Sequence, residues 1–137
     1  MSTKKMFSNV IIALSLIISI SYFSSCSKGA IVDKLVEKMA TEVNKQCPMA
    51  VDSETRLDSV THPAQHTLAY FYTLLNIEKD SLTFDQKVLD ENLTQAVKAN
   101  KQLEALRKLN VSFRYVYFDK NSDPAFKIEI TPEMYNK

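Results

Sequence analysis

Residues 30–137 predict an α+β domain of order α-β-β-α-β-β, folded as a four-stranded antiparallel sheet with its helices on one face. Three observations carry that prediction. An apolar residue recurs at every fourth position from Ile31 to Val43, as one face of a helix requires. Alternation with period two runs through Thr67–Leu75 and again through Val111–Phe118. Turn chemistry then separates Val111–Phe118 from a last alternating run, Ala125–Thr131. Strands joined by turns, with helical stretches between the pairs, bury their apolar faces best as one sheet under one helical layer.

In residues 30–46, Ile31, Leu35, Met39 and Val43 form the apolar stripe, and Lys34, Glu37, Lys38 and Glu42 the polar side. Pro48 stops the helix, since it lacks the N–H that a further turn would need. Glu54–Thr61 reads as a strand with weak alternation, Thr55, Leu57 and Ser59 against Arg56, Asp58 and Val60. A turn at His62-Pro63-Ala64-Gln65 leads to the stronger strand, with Leu68, Tyr70, Tyr72 and Leu74 on one side and Ala69, Phe71 and Leu75 on the other. Thr83 and Gln86 fit a capping box for the second helix. Its apolar positions are Leu89, Leu93, Ala96, Val97, Leu103 and Leu106, with a break or a new cap at Asn100. Asp119–Pro124 closes the final hairpin.

The chain has 137 residues, with 17 basic and 16 acidic side chains. Its first 25 residues contain Lys4, Lys5 and no acid, so 15 basic and 16 acidic groups remain beyond them. That balance offers no electrostatic basis for nucleic-acid binding. With Gly29 as the single glycine, Gly-rich phosphate loops are excluded. His62 and His66 stand four apart, but Pro63 prevents a shared helical turn. Together they supply two of the four ligands a structural zinc needs. Asp52, Glu54 and Asp58 are interleaved with Arg56 and read as surface pairs. Cys47 follows a helix C-terminus, where the helix dipole disfavours a thiolate. No catalytic residue, metal or cofactor is expected, and the chain is not predicted to be an enzyme.

Residues 1–25 have the layout of a secretory signal peptide. A basic start precedes the apolar run Val10–Ile20, and small residues Ser24-Ser25 precede Cys26. Phe23-Ser24-Ser25-Cys26 resembles a lipobox, and its loose form followed by Ser-Lys is similar to those of Bacteroidetes-type lipoproteins. That resemblance implies acylation of Cys26, with residues 26–29 as a short tether and 30–137 as one domain. Two or more acyl chains make membrane attachment durable. Ser27 after the Cys resembles sorting to an outer membrane, facing the periplasm. Asn44-Lys-Gln-Cys-Pro48, Val51-Asp-Ser-Glu-Thr-Arg-Leu57 and Tyr70-Phe-Tyr-Thr-Leu74 are similar to motifs of a group of small exported bacterial proteins, a likeness that implies architecture and export alone.

Tyr70, Tyr72, Tyr115 and Tyr117, with Phe113, fall on one sheet face, and Phe71, Val116 and Phe118 on the other. An antiparallel sheet with one face toward water is usually polar there. Apolar residues on both faces mark the four tyrosines as a candidate binding face. The expected function is a membrane-anchored, non-enzymatic module that binds an envelope protein or a second copy of itself. The alternative is an inhibitor or immunity-type lipoprotein that blocks an envelope hydrolase, with the His62–Gln65 turn as its protruding element.

Overall fold

The computed structural model describes residues 28–137. The segment 1–25 read as a signal peptide, the expected lipidation site Cys26, and Ser27 lie outside the described residues. Residues 28–44 are helical (α1), and the compact unit Asp33–Lys137 carries everything that follows.

Beyond α1 come β1 (Met49–Ala50), β2 (Thr55–Ala64), β3 (Thr67–Leu74), a 3-10 turn at Lys79–Ser81 and α2 (Gln86–Ala99). A 3-10 turn at Lys101–Leu103, α3 (Glu104–Lys108), β4 (Ser112–Phe118), β5 (Pro124–Ile130) and α4 (Pro132–Tyr135) complete the unit. The sheet has five strands in the order β1-β2-β3-β4-β5. The α+β class holds, with two corrections. A two-residue strand after Pro48 adds a fifth member, and β3 pairs with β4 in parallel while the other pairs are antiparallel. The parallel pair has a topological cause. A strand, a helical crossover and an adjacent strand on the same sheet return in the same direction, and α2 with α3 is that crossover.

β2 explains why its alternation is weak in the sequence. Leu57 opposes Tyr72 and Ser59 opposes Phe71, so Asp58 is an extra residue at a bulge. The bulge shifts the phase, and Leu57 and Val60, three apart, both enter the core at 3% and 1% exposure. The grouping of Leu57 with Thr55 and Ser59 therefore fails beyond the bulge. β2 also continues through His62, Pro63 and Ala64, so the turn is shorter than expected and lies at Gln65-His66. His66 takes a positive φ of 50° there. Asp85, not Thr83, caps α2, its carboxylate accepting from the N–H groups of Lys87 and Val88. Asn100 caps the next turn, its side chain accepting from Gln102 N–H.

The core lies between the helices and one sheet face. Val36 and Ala40 of α1, Leu68, Phe113, Ile128 and Ile130 of the sheet, and Val97, Leu103 and Leu106 of the crossover are buried. Tyr135 of α4 packs its ring 6.0 Å from Phe113 and donates its hydroxyl to Val111 O at 2.9 Å.

Candidate functional site: an aromatic ladder between two helices

The strand register aligns the four tyrosines. Tyr70 opposes Tyr115 and Tyr72 opposes Tyr117 across the parallel pair, and Tyr117 opposes Phe126 across the hairpin. Their rings stack nearly parallel, with centroids 5.3 Å apart at 8° for Tyr70–Tyr115 and 4.9 Å at 16° for Tyr72–Tyr117. Tyr117 continues onto Phe126 at 4.4 Å, and Phe126 onto Phe84 at 4.8 Å. The result is one ladder from the middle of the sheet to the loop before α2. Because stacking occupies the ring faces, the ladder offers ring edges and hydroxyls to anything above it. Tyr135 ties its hydroxyl to a backbone carbonyl, whereas no buried side-chain oxygen among the described residues is left unpartnered. The ladder hydroxyls thus remain in reach of water.

Burial keeps these phenols neutral. It pushes Tyr70 up to about 12 and raises Tyr72, Tyr115 and Tyr117 as well, with neighbouring tyrosines adding to it for Tyr72 and Tyr115 and Asp52 for Tyr117. Tyr115 is core, at 9% exposure, while Tyr70, Tyr72 and Tyr117 are half-buried. The predicted set is therefore brought together on one face, but that face is the helical side of the sheet.

Tyr70 and Tyr72 form the floor of a groove of about 370 Å³. Met39 and Val43 of α1 make one wall, Asn100, Gln102 and Leu103 the other, and Met49 and Val51 close one end. Leu89 and Leu93 of α2 are only half-buried. Apolar residues stay exposed around the ladder, Val51 at 54%, Phe84 at 42% and Met49 at 37%. An apolar rim of this kind makes the groove a candidate interaction surface. Met49 stands in a strand of 2 residues and Val51 and Phe84 in irregular segments, all too short for periodicity to flag them.

The outer face differs. Phe71 and Phe118 stack there at 6.5 Å, beside the ion pair of Arg114 and Glu129 at 3.0 Å. Arg56 pairs with Asp58, which also accepts from the Thr73 hydroxyl. Of the three carboxylates interleaved with Arg56, Asp58 forms the expected surface pair, while Asp52 accepts from the Glu54 N–H.

Other predicted candidates have different surroundings. His62 is not an exposed turn residue. Its Nε2 lies 3.1 Å from the Asp33 carboxylate of α1, and the same carboxylate oxygen accepts from His66 N–H at 2.7 Å. The His66 N–H holds the Asp33 carboxyl below the usual range against the opposing effect of burial, with His62 assisting. Two histidines thus clasp α1 to the β2–β3 turn. Cys47 has a free, half-buried thiol that donates to Val43 O at 3.5 Å. Burial, then Asp58, raises its pKa. Among the described residues, no cluster of three or more His, Cys, Asp or Glu side chains is placed to hold a metal.

A family model described as Domain of unknown function (DUF8479) matches residues 30–125, from α1 into β5. The chain belongs to this family. No curated protein matches it. The fold of this DUF8479 member recurs in solved structures. The Pseudomonas aeruginosa protein PA3611, inferred to be secreted, superposes with a TM-score of 0.68 at 16% identity, over 79% of this chain and 96% of that one. The type II secretion system pilotin AspS of Vibrio cholerae gives 0.63 at 14% identity, over 81% and 98%. The type 2 secretion system pilotin EpsS of Vibrio vulnificus gives 0.62 at 7% identity, over 80% and 96%. At these identities the likeness is one of fold.

Proposed function

We propose that this DUF8479 protein is a non-enzymatic envelope lipoprotein, anchored through acylated Cys26 to the outer membrane and facing the periplasm, that holds a protein partner in the groove over Tyr70 and Tyr72. One observation carries the reading. The helical layer leaves an aromatic and methionine-lined trough open above the middle of the sheet, where a self-sufficient core would be closed. Interfaces favour Tyr and Met for their large contact area. The fold shared with two type II secretion pilotins supports a binding role and makes components of an envelope secretion system the first partners to try.

The groove holds neutral phenols with thioether, aliphatic and amide side chains. A raised pKa at Cys47 keeps the nearby thiol protonated and a poor nucleophile. This chemistry suits recognition rather than turnover.

The test is co-purification of the lipidated full chain from its native envelope. A defined envelope protein should accompany the wild type and be lost with Met49→Asp/Val51→Asp, exposed rim positions whose change leaves membrane attachment and melting temperature unchanged. Identical companions in both preparations would remove the groove from the function.

A further inference from the structure

We propose that β5 is a homodimerisation edge, where a second copy of this chain adds its own β5 in antiparallel register centred on Ile128. β5 ends the sheet, so its outer N–H and C=O groups have no neighbouring strand among the described residues. The opposite edge is treated differently. There β1 pairs with β2, and the Asn44 amide accepts from Val60 N–H and donates to Val60 O, both at 2.7 Å. That side ends in a strand of 2 residues with Asn44 covering β2 beyond it, whereas β5 leaves an open edge 7 residues long, which is the condition for strand addition.

The sequence of β5 selects the occupant and the register. Directly opposed residues on antiparallel strands lie on the same face. A twofold axis through Lys127 would set that lysine against its own copy, and an axis through Glu129 would do the same for the glutamates. An axis through Ile128 crosses them, placing Lys127 opposite the second copy's Glu129 and Glu129 opposite its Lys127. On the other face the same register sets Phe126 opposite Ile130 and Ile128 opposite itself. Ile128 and Ile130 are already buried in their own core, at 3% and 0% exposure, so charge complementarity is what selects this register. Lys127 is exposed and Glu129 half-exposed, and Arg114, which pairs with Glu129, lies on the neighbouring strand of the same face and adds a second cation to the site. The contact is isologous and closes at two copies.

Charge reversal tests it on the lipidated full chain in non-ionic detergent, with native mass spectrometry reading stoichiometry. The wild type should give a dimer. K127E alone opposes two glutamates, E129K alone opposes two lysines, and each should lose the dimer peak. An equimolar mixture of the two variants restores both opposite-charge pairs and should recover a dimer of mixed composition. Among the described residues Lys127 has no side-chain partner that K127E would remove, so that variant carries the test by itself if E129K, which gives up Arg114, does not fold. A wild type that stays monomeric on concentration, or a K127E chain as dimeric as the wild type, overturns the proposal.

Discussion

At the scale of single residues, burial separates tyrosines that look alike in the sequence. Tyr115 is nearly sealed and stacked between Tyr70 and Tyr72, so Tyr115→Ala should cost about 3–5 kcal/mol in urea unfolding, the range for large aromatic truncations. Tyr117 is half-buried, and its truncation should cost about 1–2 kcal/mol. Equal losses at the two positions would show that the ladder is uniformly core. The phenols also make an alkaline prediction. Their folded pKa values lie above the ordinary value near 10. The stability they contribute is therefore full below pH ~10 and is lost as pH rises toward the folded values. Tyrosinate absorbance and circular dichroism should change together above pH 10. Ladder tyrosines that ionise at their ordinary pKa in the folded protein would contradict their burial.

Asp119 acts at the acid end. It is 1% exposed. Burial pushes its carboxyl up, but the N–H groups of Asp123, Lys79 and Asn121 outweigh this, and the pKa falls below the usual range. Those bonds, at 2.9, 3.1 and 2.8 Å, join the β4–β5 turn to the segment after β3. A lowered carboxyl pKa contributes stability that is present above pH ~4 and lost as pH falls through the folded value. Asp119→Asn should flatten the acid side of a plot of melting temperature against pH. An unchanged acid limb would assign acid unfolding to other groups.

Among the elements, α1 is held to the sheet at two points along β2. Near its start the Asp33 carboxylate meets His62 and the His66 N–H, and at its end the Asn44 amide takes both backbone groups of Val60. Asn44→Ala leaves a part-buried donor and acceptor unpaired on β2 and should destabilise by about 1–3 kcal/mol. Since α1 forms one wall of the groove, the same change should weaken partner binding. A variant with normal stability would show that water replaces the amide. The β2 bulge at Asp58 belongs to this scale too, because it re-aims Leu57 and Val60 to the same face.

For the whole molecule, the proposed function assigns attachment to Cys26 and recognition to the groove, two separate parts of the chain. Cys26→Ala should yield an uncleaved or freely soluble product while the domain still folds and keeps its groove. A mutant that is cleaved at the same place and equally membrane-bound, read by fractionation and intact mass, would refute lipid anchoring.

Much of the fold was legible locally. Four-residue spacing marked α1, alternation marked β3, β4 and β5, and Asn100 announced the break after α2, because each feature depends on neighbours within a few residues. The clustering of Tyr70, Tyr72, Tyr115 and Tyr117 on one face followed from the same alternation. Other features depend on residues far apart in the chain. The parallel β3–β4 pair arises from the handed return of the α2–α3 crossover, which periodicity does not encode. The bulge in β2 is selected by what Leu57 and Val60 can bury. The Asp33–His62 clasp spans 29 residues and the Asn44–Val60 bonds 16. Sequence by itself determined which segments are helices and strands and which way their side chains alternate, because those are short-range steric and hydrophobic preferences. Only the tertiary structure decided that the tyrosines lie under a parted helical layer, since the gap between α1 and the crossover is set by where distant elements pack.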